Sequence, residues 1–224
     1  MIFPFLKLHS VSSAITAPIA PKAPAFRTGL QRLDVQLPQG GWPVGAVTEL
    51  CPTHAEIGAF SVLVPTLARL TQQGRRVVLM GSEQLPDLEE LGDQGVRLRQ
   101  VTILRAAASD RLWAMEQKLR FGEIAMLVAW MPQLSDRQVR RLEDAAAAGQ
   151  AMVMLFRNAG TRSFCRSSAL QLVLRPGTDG LLDIEIVRAG GASGHVVASG
   201  TRNGPRRSNA RPLSWSPAFA SASF

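Results

Sequence analysis

Residues 40–58 read GGWPVGAVTELCPTHAEIG, and this stretch decides the fold. Its Gly/Pro turn leads into an apolar run, Ala46 to Leu50, that predicts a buried strand, and a loop from Cys51 to Gly58 follows. The next residues predict an amphipathic helix, Ala59 to Leu70, and a second strand, Arg76 to Met80. The order strand, loop, helix and strand is typical of the start of a nucleotide-binding α/β core.

The loop lacks the residues that bind phosphate in such a core. A working phosphate loop reads G-x-x-x-x-G-K-[ST], because backbone N–H groups surround the phosphate oxygens while Lys and Ser/Thr serve the γ-phosphate and Mg²⁺. Here Ala59 and Phe60 follow Gly58, and Thr53 stands where the motif has its first glycine. We therefore predict no catalytic residue, no metal and no cofactor. The degenerate phosphate loop consists of Cys51, Thr53, Gly58, Ala59 and Phe60.

Strand and helix patterns alternate through the rest of the core. Buried strands are predicted at three further places: Gln100 to Arg105, Ile124 to Trp130 and Ala151 to Phe156. Ser135 with Gln138 forms a capping box for a helix that runs to Ala148, with Gly149 as its stop. Alternating apolar residues between 170 and 186 predict an antiparallel pair. The fold class is therefore α/β, a mostly parallel sheet covered by helices that ends in an antiparallel hairpin, with disordered termini.

The chain has 224 residues and a net charge of +8, and most of the excess lies at its ends. Residues 1–24 and 188–224 carry basic and no acidic side chains, whereas residues 25–187 are nearly neutral. Two cysteines are too few for a disulfide framework, and no apolar run could span a bilayer, so we expect a cytoplasmic protein. We divide the chain into a flexible leader, 1–25, a folded domain, 26–188, and a disordered basic tail, 189–224.

The tail contains two sets of candidate contact residues. Four arginines could hold nucleic acid weakly through its phosphates, or could simply keep the tail soluble: Arg202, Arg206, Arg207 and Arg211. Apolar residues in this otherwise polar segment predict a partner-binding motif: Leu213, Trp215, Phe219 and Phe224.

Three smaller hypotheses concern the folded domain. Cys51 and His54 could form a nucleophile, although no third group is recognisable and a structural cysteine is the better interpretation. One group could be a partner-binding stripe or part of the core: Trp113, Trp130 and Met131. A short loop carries three arginines that could touch phosphates or be merely solvated: Arg157, Arg162 and Arg166.

Several short motifs resemble the beginning of the RecA recombinase core when they are taken in order: Thr28-Gly29-Leu30, Leu33-Asp34, Gly40 to Gly45 and Thr48-Glu49-Leu50. More closely, the chain resembles the ImuA family, RecA-like accessory proteins encoded with an inactive Y-family polymerase relative (ImuB) and an error-prone polymerase. The stretch from Gly122 to Arg157 also resembles SulA, the SOS cell-division inhibitor.

The resemblance to RecA implies a RecA-like core, and the departures from it imply the loss of hydrolysis. A RecA-type enzyme needs an Asp at the end of the buried strand to organise Mg²⁺ and water. Here that strand ends in Ala129, Trp130 and Met131. Glu83 lies near the position of the catalytic Glu, but it cannot support hydrolysis alone.

The ImuA resemblance implies a non-catalytic adaptor in SOS-induced mutagenic translesion synthesis and DNA repair. Its expected partners are an ImuB-like protein and the error-prone polymerase, with RecA as a further candidate. The first alternative is a SulA-like inhibitor that binds FtsZ and blocks cell division. The second is a divergent ATPase that uses Ser61 and Glu83 and binds nucleotide with Mg²⁺.

Overall fold

Short apolar runs form three central strands of this protein, Val77–Met80, Met126–Trp130 and Met152–Phe156, and helices lie between several of the strands. The computed structural model describes residues 24–54, 58–81, 85–157, 164–177 and 182–189, and the backbone of 192–198. The strands are β1 Ala25–Phe26, β2 Trp42–Pro43, β3 Ala46–Pro52, β4 Val77–Met80, β5 Val101–Leu104, β6 Met126–Trp130, β7 Met152–Phe156, β8 Leu170–Pro176, β9 Leu182–Ala189 and β10 Ala192–Ala198. The helices are α1 Gln31–Gln36, α2 Val64–Gln72, α3 Leu88–Asp93, α4 Arg111–Arg120 and α5 Asp136–Gly149, with short 3-10 segments at Ala59–Leu63 and Leu98–Gln100.

Eight of these strands form one sheet in the order β10-β9-β8-β3-β7-β6-β4-β5. Strand β3 lies parallel to both of its neighbours, β7 and β8, and the pairs β7-β6, β6-β4 and β4-β5 are parallel as well. Strands β8 and β9 form an antiparallel hairpin. The prediction of an α/β fold with a mostly parallel sheet and an antiparallel hairpin is therefore confirmed.

Helices cover both faces of this sheet. Successive side chains of a strand point to opposite sides, so the apolar strands give each face a core to be covered. On one face the core contains Leu50 of β3 together with Leu63, Leu67 and Leu70 from the 3-10 segment and α2. On the other face the core contains Val47 of β3 with buried residues of α4 and α5: Met115, Leu119, Val139 and Leu142. The central strand is thus buried on both sides, as expected for a parallel sheet.

A small unit formed by residues 25–43 packs on α2 and precedes the central strand. Strands β1 and β2 pair antiparallel. Trp42 is fully buried, and its indole Nε1 donates a hydrogen bond of 2.9 Å to Oγ1 of Thr66 in α2. The same Thr66 hydroxyl donates to the carbonyl oxygen of Thr28 at 2.8 Å. These two bonds fix the unit to the helix that follows the central strand.

The predicted helix from Ala59 to Leu70 is wrong in its first turn. Residues Ala59–Leu63 form a 3-10 segment, and the α-helix begins only at Val64. Pro65 therefore lies in the first turn of α2, where its missing N–H removes no helical hydrogen bond. The proline is a start signal for α2 and does not bend it.

The predicted stop of the α5 helix is also corrected. Ser135 and Gln138 form both bonds of the capping box, as predicted. At the other end, however, Gly149 is still helical, and the left-handed conformation belongs to Gln150, with φ of 50°. Glycine is needed at 149 for close packing, because a Cβ there would lie 1.8 Å from the carbonyl oxygen of Leu119.

The expected start of a disordered tail at residue 189 is wrong. Residue 189 still belongs to β9, and Ala192–Ala198 form β10, which pairs antiparallel with β9. The sequence His-Val-Val-Ala within β10 supplies the β-branched residues that favour a strand. Residues 1–23 and 199–224 lie outside the described residues.

Candidate functional site at the carboxyl end of the central strand

Three aromatic rings lie above the carboxyl ends of the sheet, where open α/β sheets bind their ligands. Phe60 belongs to the 3-10 segment after the β3 loop, while Trp130 ends β6 and Phe156 ends β7. The ring centroids of Trp130 and Phe156 are 5.3 Å apart. The ring centroid of Phe60 lies 5.8 Å from that of Trp130 and 6.2 Å from that of Phe156. We call this group, Phe60, Trp130 and Phe156, the aromatic stack. It is buried and forms part of the hydrophobic core.

Both ends of the degenerate phosphate loop belong to the folded core. Gly58 has φ of 63° and precedes the 3-10 segment, and both Ala59 and Phe60 after it are buried. The backbone N–H of Thr53 donates to the Leu174 carbonyl oxygen, so it is committed to the sheet. The loop ends therefore join the core and present no lysine to solvent. That no cofactor binds here stays a prediction.

A buried polar network lies on the opposite face of the same strand. Glu49 of β3 has no exposed surface. Its Oε1 accepts a hydrogen bond of 3.0 Å from the backbone N–H of Cys165 and one of 2.6 Å from the Ser168 hydroxyl. Burial raises the pKa of Glu49 above its ordinary value, although the Ser168 hydrogen bond and the charge of Arg157 oppose that shift.

Arg157 completes this network, which we call the Glu49 network: Glu49, Arg157, Cys165, Ser168 and Gln171. The Nε atom of Arg157 lies 3.5 Å from Oε2 of Glu49, and the arginine side chain is only 5% exposed. The Gln171 amide donates to the Ser168 hydroxyl at 2.7 Å and to the Cys165 carbonyl oxygen at 2.6 Å. Arg157 is thus a buried ion-pair partner, and the hypothesis that it is a solvated or phosphate-contacting loop residue is wrong.

Neither cysteine is placed for nucleophilic chemistry. Burial raises the pKa of the Cys51 thiol to about 12, and the nearby Glu49 charge acts in the same direction. Burial likewise raises the pKa of Cys165 to about 11. His54 is exposed in the loop beyond β3, whereas Cys51 is buried. Both thiols stay protonated at neutral pH, which rules out the Cys51–His54 nucleophile.

A second buried carboxyl group joins α5 to the sheet. Glu143 accepts hydrogen bonds from the backbone N–H groups of Val47 and Ala169, the latter at 2.9 Å. Burial raises its pKa to about 7, which these hydrogen bonds only partly oppose. The side chain therefore titrates near neutral pH at the contact between a helix and two strands.

Trp113, Trp130 and Met131 do not form a shared partner-binding stripe, and the alternative interpretation, that they belong to the core, holds for Trp130. Trp130 is buried in the aromatic stack, and Met131 is half-buried. Trp113 lies on the outer side of α4 with 63% of its surface exposed. Phe121, which directly follows α4, is 72% exposed, and sequence reasoning did not single it out. Its signal was its position, about two helical turns after Trp113.

Sequence reasoning also missed the Glu49 network. Its one available signal is a charged residue inside an apolar strand, because a buried carboxylate requires a partner. That partner comes from residues 157–171, more than a hundred positions later, and only the folded sheet brings them together.

Several predicted site residues lie outside the described part of the chain. They include the second ATPase candidate, Glu83, the loop residue Arg162, the tail arginines Arg202, Arg206, Arg207 and Arg211, and the tail anchors Leu213, Trp215, Phe219 and Phe224. Among the residues that are described, no group of three or more His, Cys, Asp or Glu side chains could hold a metal ion. Within the same ranges, no helix is long and apolar enough to cross a membrane.

Comparison with known proteins identifies relatives of the domain that holds these features. A family model for the cell division inhibitor SulA matches residues 45–153. The cell division inhibitor SulA of Edwardsiella piscicida is 34% identical over 121 residues, which cover 53% of this chain and 69% of that protein. The SulA proteins of Serratia marcescens and Serratia proteamaculans are 24% and 26% identical over 114 residues, which cover 50% of this chain and 68% of each of them.

These matches overturn the ImuA assignment, the translesion-synthesis role and the ImuB-like and polymerase partners. Much of the support for ImuA came from residues 28–44, which lie outside the matched family region, and from a strand-loop-helix order that is not specific to one family. The prediction that the protein is not an enzyme is confirmed by its kinship with cell division inhibitors, and the divergent ATPase alternative is wrong. The chain belongs to the SulA family of cell division inhibitors.

Proposed function

We propose that this protein is an SOS-induced inhibitor of cell division that binds FtsZ and prevents its assembly. The observation that carries the proposal is the 34% identity to a cell division inhibitor over 69% of that protein's length. The matched family region, residues 45–153, contains β3 and α5 and two members of the aromatic stack, Phe60 and Trp130.

The structure suits inhibition by binding. Inhibition of this kind needs no bond to be made or broken, only a stable surface that occupies a site on the partner. The aromatic stack and the Glu49 network fill the two sides of the sheet around the carboxyl end of β3. They stabilise the domain from which binding surfaces project.

We further propose that the core is RecA-like and that the protein acts in the cytoplasm. The support for a RecA-like core is a first long strand, β3, at the centre of a parallel sheet, followed by a loop and α2. In this proposal the aromatic stack occupies the position of a nucleotide base or phosphate in an active relative. The support for a cytoplasmic site of action is that Cys51 and Cys165 are both free thiols, as is usual in a reducing compartment.

The tail arginines and tail anchors keep a place in this proposal as secondary contacts. The four tail arginines would contribute weak electrostatic attraction to the phosphates of nucleic acid, and this attraction falls steeply as the salt concentration rises: Arg202, Arg206, Arg207 and Arg211. The apolar anchors would add contacts to FtsZ: Leu213, Trp215, Phe219 and Phe224.

A cellular experiment tests the proposed function. Induced expression of the full chain in a rod-shaped bacterium should give long, undivided filaments with normal DNA segregation, and the Z-ring, seen by fluorescence microscopy, should disappear. A matched control is the Leu142→Asp variant, since this residue is fully buried and the charge should unfold the domain. Normal division during soluble expression of the wild-type chain would contradict the proposal.

A further inference from the structure

Two arginine side chains share one aromatic ring beside the end of α2. The guanidinium carbon of Arg69 lies 5.1 Å from the centroid of the Phe26 ring, and that of Arg75 lies 5.9 Å from the same centroid. Arg69 also donates a hydrogen bond of 3.4 Å from Nη1 to the carbonyl oxygen of Arg27. We call this group, Phe26, Arg69 and Arg75, the arginine site. Contact with the ring holds the two guanidinium groups in place and leaves their charge intact.

The backbone fixes the members of the arginine site. Helix α2 ends in a Schellman motif, in which the N–H of Gly74 donates to the Thr71 carbonyl oxygen and the N–H of Arg75 donates to the Leu70 carbonyl oxygen, both at 3.0 Å. Gly74 adopts the left-handed conformation that this ending needs, with φ of 75°. Phe26 belongs to β1, which pairs with β2. The arrangement is therefore part of the fold.

The arginine site has no carboxylate partner in the described part of the chain. None of the ion pairs there, which are formed within 4 Å, involves Arg69 or Arg75. Residues 1–24, which precede β1, contain no acidic side chain either. Two positive groups held beside one ring without a counter-charge repel each other, so the binding of an anion there is favourable.

Arginines extend from this site along the amino ends of β4 and β5. The segments that lie there, 25–27, 64–76 and 94–100, contain no acidic residue. The second and third segments contact each other, since the Arg97 N–H donates to Oγ1 of Thr71 at 3.0 Å and the Gln72 amide donates to the Gly95 carbonyl oxygen at 2.9 Å. The basic residues of the three segments are Arg27, Arg69, Arg75, Arg76, Arg97 and Arg99.

The acidic residues of the neighbouring elements leave this surface positive. Asp34 of α1, Asp93 at the end of α3 and Glu123 before β6 flank it. Glu123 lies 3.9 Å from Arg76, and the Asp34 carboxylate accepts a hydrogen bond of 2.8 Å from the Thr28 N–H. The remaining acidic residues of α3 and its cap belong to its first turn, nearer to the carboxyl end of β4: Asp87, Glu89 and Glu90. The arginines of the surface therefore outnumber the three carboxylates that flank it.

This chemistry is typical of a surface that binds phosphate groups. A guanidinium group is planar and always charged, and its paired N–H groups match two oxygens of a phosphate. Several such groups along one end of a sheet suit a repeated anion, and nucleic acid carries a phosphate for about every 3.4 Å of each strand. The Phe26 ring is covered by guanidinium groups, so no aromatic side chain of the site is available to enter a lipid bilayer. The observations favour nucleic acid over an anionic membrane.

We propose that the arginine site binds the phosphodiester backbone of nucleic acid, independently of base sequence. Contacts to phosphate fix a protein on a strand and carry no sequence information. The site belongs to the folded domain and is therefore distinct from the tail arginines. The inference goes beyond the proposed function and does not depend on it, because it gives the chain a second kind of partner.

Fluorescence anisotropy of labelled oligothymidine, titrated with the full chain at several salt concentrations, tests the proposal. The Arg69→Gln/Arg75→Gln variant should bind at least about tenfold more weakly at low salt. The slope of log affinity against log salt should fall by about two, because two phosphate contacts are lost. The matched control is Arg137→Gln/Arg140→Gln, which removes the same charge from exposed positions of α5 on the other face of the sheet and should bind as wild type does.

A variant of unchanged charge tests the role of the ring. Phe26→Leu keeps an apolar side chain but removes the π face beside which both guanidinium groups lie. DNA binding should weaken by about threefold while the salt slope stays that of wild type, because the charges remain but are less well held. Circular dichroism and thermal unfolding should show that all three variants fold, because the substituted side chains are exposed or half-buried.

Four results would overturn the inference. Wild-type DNA affinity in the Arg69→Gln/Arg75→Gln variant would place any DNA contact outside the arginine site. An equal loss in that variant and in the α5 control would show general electrostatic attraction without a site. Binding to phosphatidylglycerol vesicles that is lost in the variant, with DNA binding unchanged, would make the surface a membrane contact. Failure of the wild-type chain to bind DNA would end the inference, and inhibition of FtsZ assembly, measured separately, would still stand.

Discussion

The carboxylate of Glu49 lies in the middle of a strand whose other side chains are mostly apolar, and Arg157 is its only described ion-pair partner. Removing one member of a buried pair leaves an uncompensated charge in the core, which costs about 3–5 kcal/mol. The stability of the domain therefore depends on the pair more than on either residue alone.

Single and double substitutions of this pair should be strongly non-additive. Glu49→Gln and Arg157→Met should each destabilise the protein by about 3 kcal/mol or more, whereas the double variant should cost less than the sum. Gln at 49 keeps an oxygen for the Ser168 hydroxyl and Cys165 N–H. The measurement is the free energy of unfolding in denaturant at pH 7.

The exposed hairpin pair is the control for this cycle. Arg175 Nη2 lies 2.7 Å from Glu185 Oε2, but the arginine side chain is 54% exposed. Arg175→Met and Glu185→Gln should each cost at most about 1 kcal/mol, because solvent screens the charges. Additive costs in the Glu49–Arg157 cycle would show that the pair is not coupled.

Glu143 should make stability depend on pH. Its pKa is about 7 in the folded protein and near 4.5 in the unfolded chain. Between these values the folded state holds the proton that the unfolded state has lost, so the free energy of unfolding falls as pH rises and levels off above 7. The fall attributable to Glu143 should be about 1–2 kcal/mol, since each pKa unit corresponds to about 1.4 kcal/mol and partial exposure reduces the effect.

A comparison of variants isolates this contribution from that of Glu49, whose pKa is raised as well. Denaturant unfolding of Glu143→Gln between pH 5 and 8 should show a smaller decrease in stability than wild type. The exposed substitution Asp93→Asn at the end of α3, a residue whose charge does not act on Glu143, should leave the wild-type slope unchanged. An identical slope in wild type and Glu143→Gln would contradict the assignment of the titration to Glu143.

At the scale of the elements, α4 and α5 pack closely because residue 149 is a glycine and has no Cβ atom. A Cβ at Gly149 would lie 1.8 Å from the Leu119 carbonyl oxygen, so the two helices must separate to admit it. The contact between Gly149 of α5 and Leu119 of α4 therefore fixes the position of α4 against the domain.

Two glycine substitutions should therefore change the stability of the protein in opposite directions. Gly149→Ala should destabilise the protein by about 2–3 kcal/mol, because extra volume forces a backbone shift. Gly92→Ala in α3 should stabilise it by about 0.5–1 kcal/mol, since alanine favours the helix and its Cβ would meet Leu98 at an ordinary 3.7 Å. Thermal unfolding measures both, and equal effects would contradict the packing account.

Local signals in the sequence predicted the elements well where the chemistry is local. The capping box of Ser135 and Gln138 starts α5, and the apolar runs became the parallel strands. Three predicted element boundaries were wrong, the first through a misread local start signal, the second through packing between helices and the third through strand pairing. Pro65 begins α2 after a 3-10 segment, Gly149 packs against α4, and residues 192–198 form a strand because β9 offers an edge for pairing.

At the scale of the whole molecule, the sequence predicted the sheet but not the family. The order of strand, loop and helix around β3 favoured ImuA without being specific to that family. The stretch from Gly122 to Arg157 resembled SulA, which was the first alternative and is the family that the comparisons support. The aromatic stack could be anticipated in part, since Trp130 stands where an active enzyme needs Asp. The Glu49 network and the arginine site could not, because each requires the packing of the folded chain.

The central claim is that the chain inhibits FtsZ by direct binding. The most direct measurement is sedimentation of FtsZ polymers assembled with GTP, as the purified full-length chain is titrated from substoichiometric to twofold excess. The account predicts that sedimented polymer falls towards zero near equimolar chain, with a complex of both proteins in the supernatant. Undiminished polymer at twofold excess, without any complex, would contradict it.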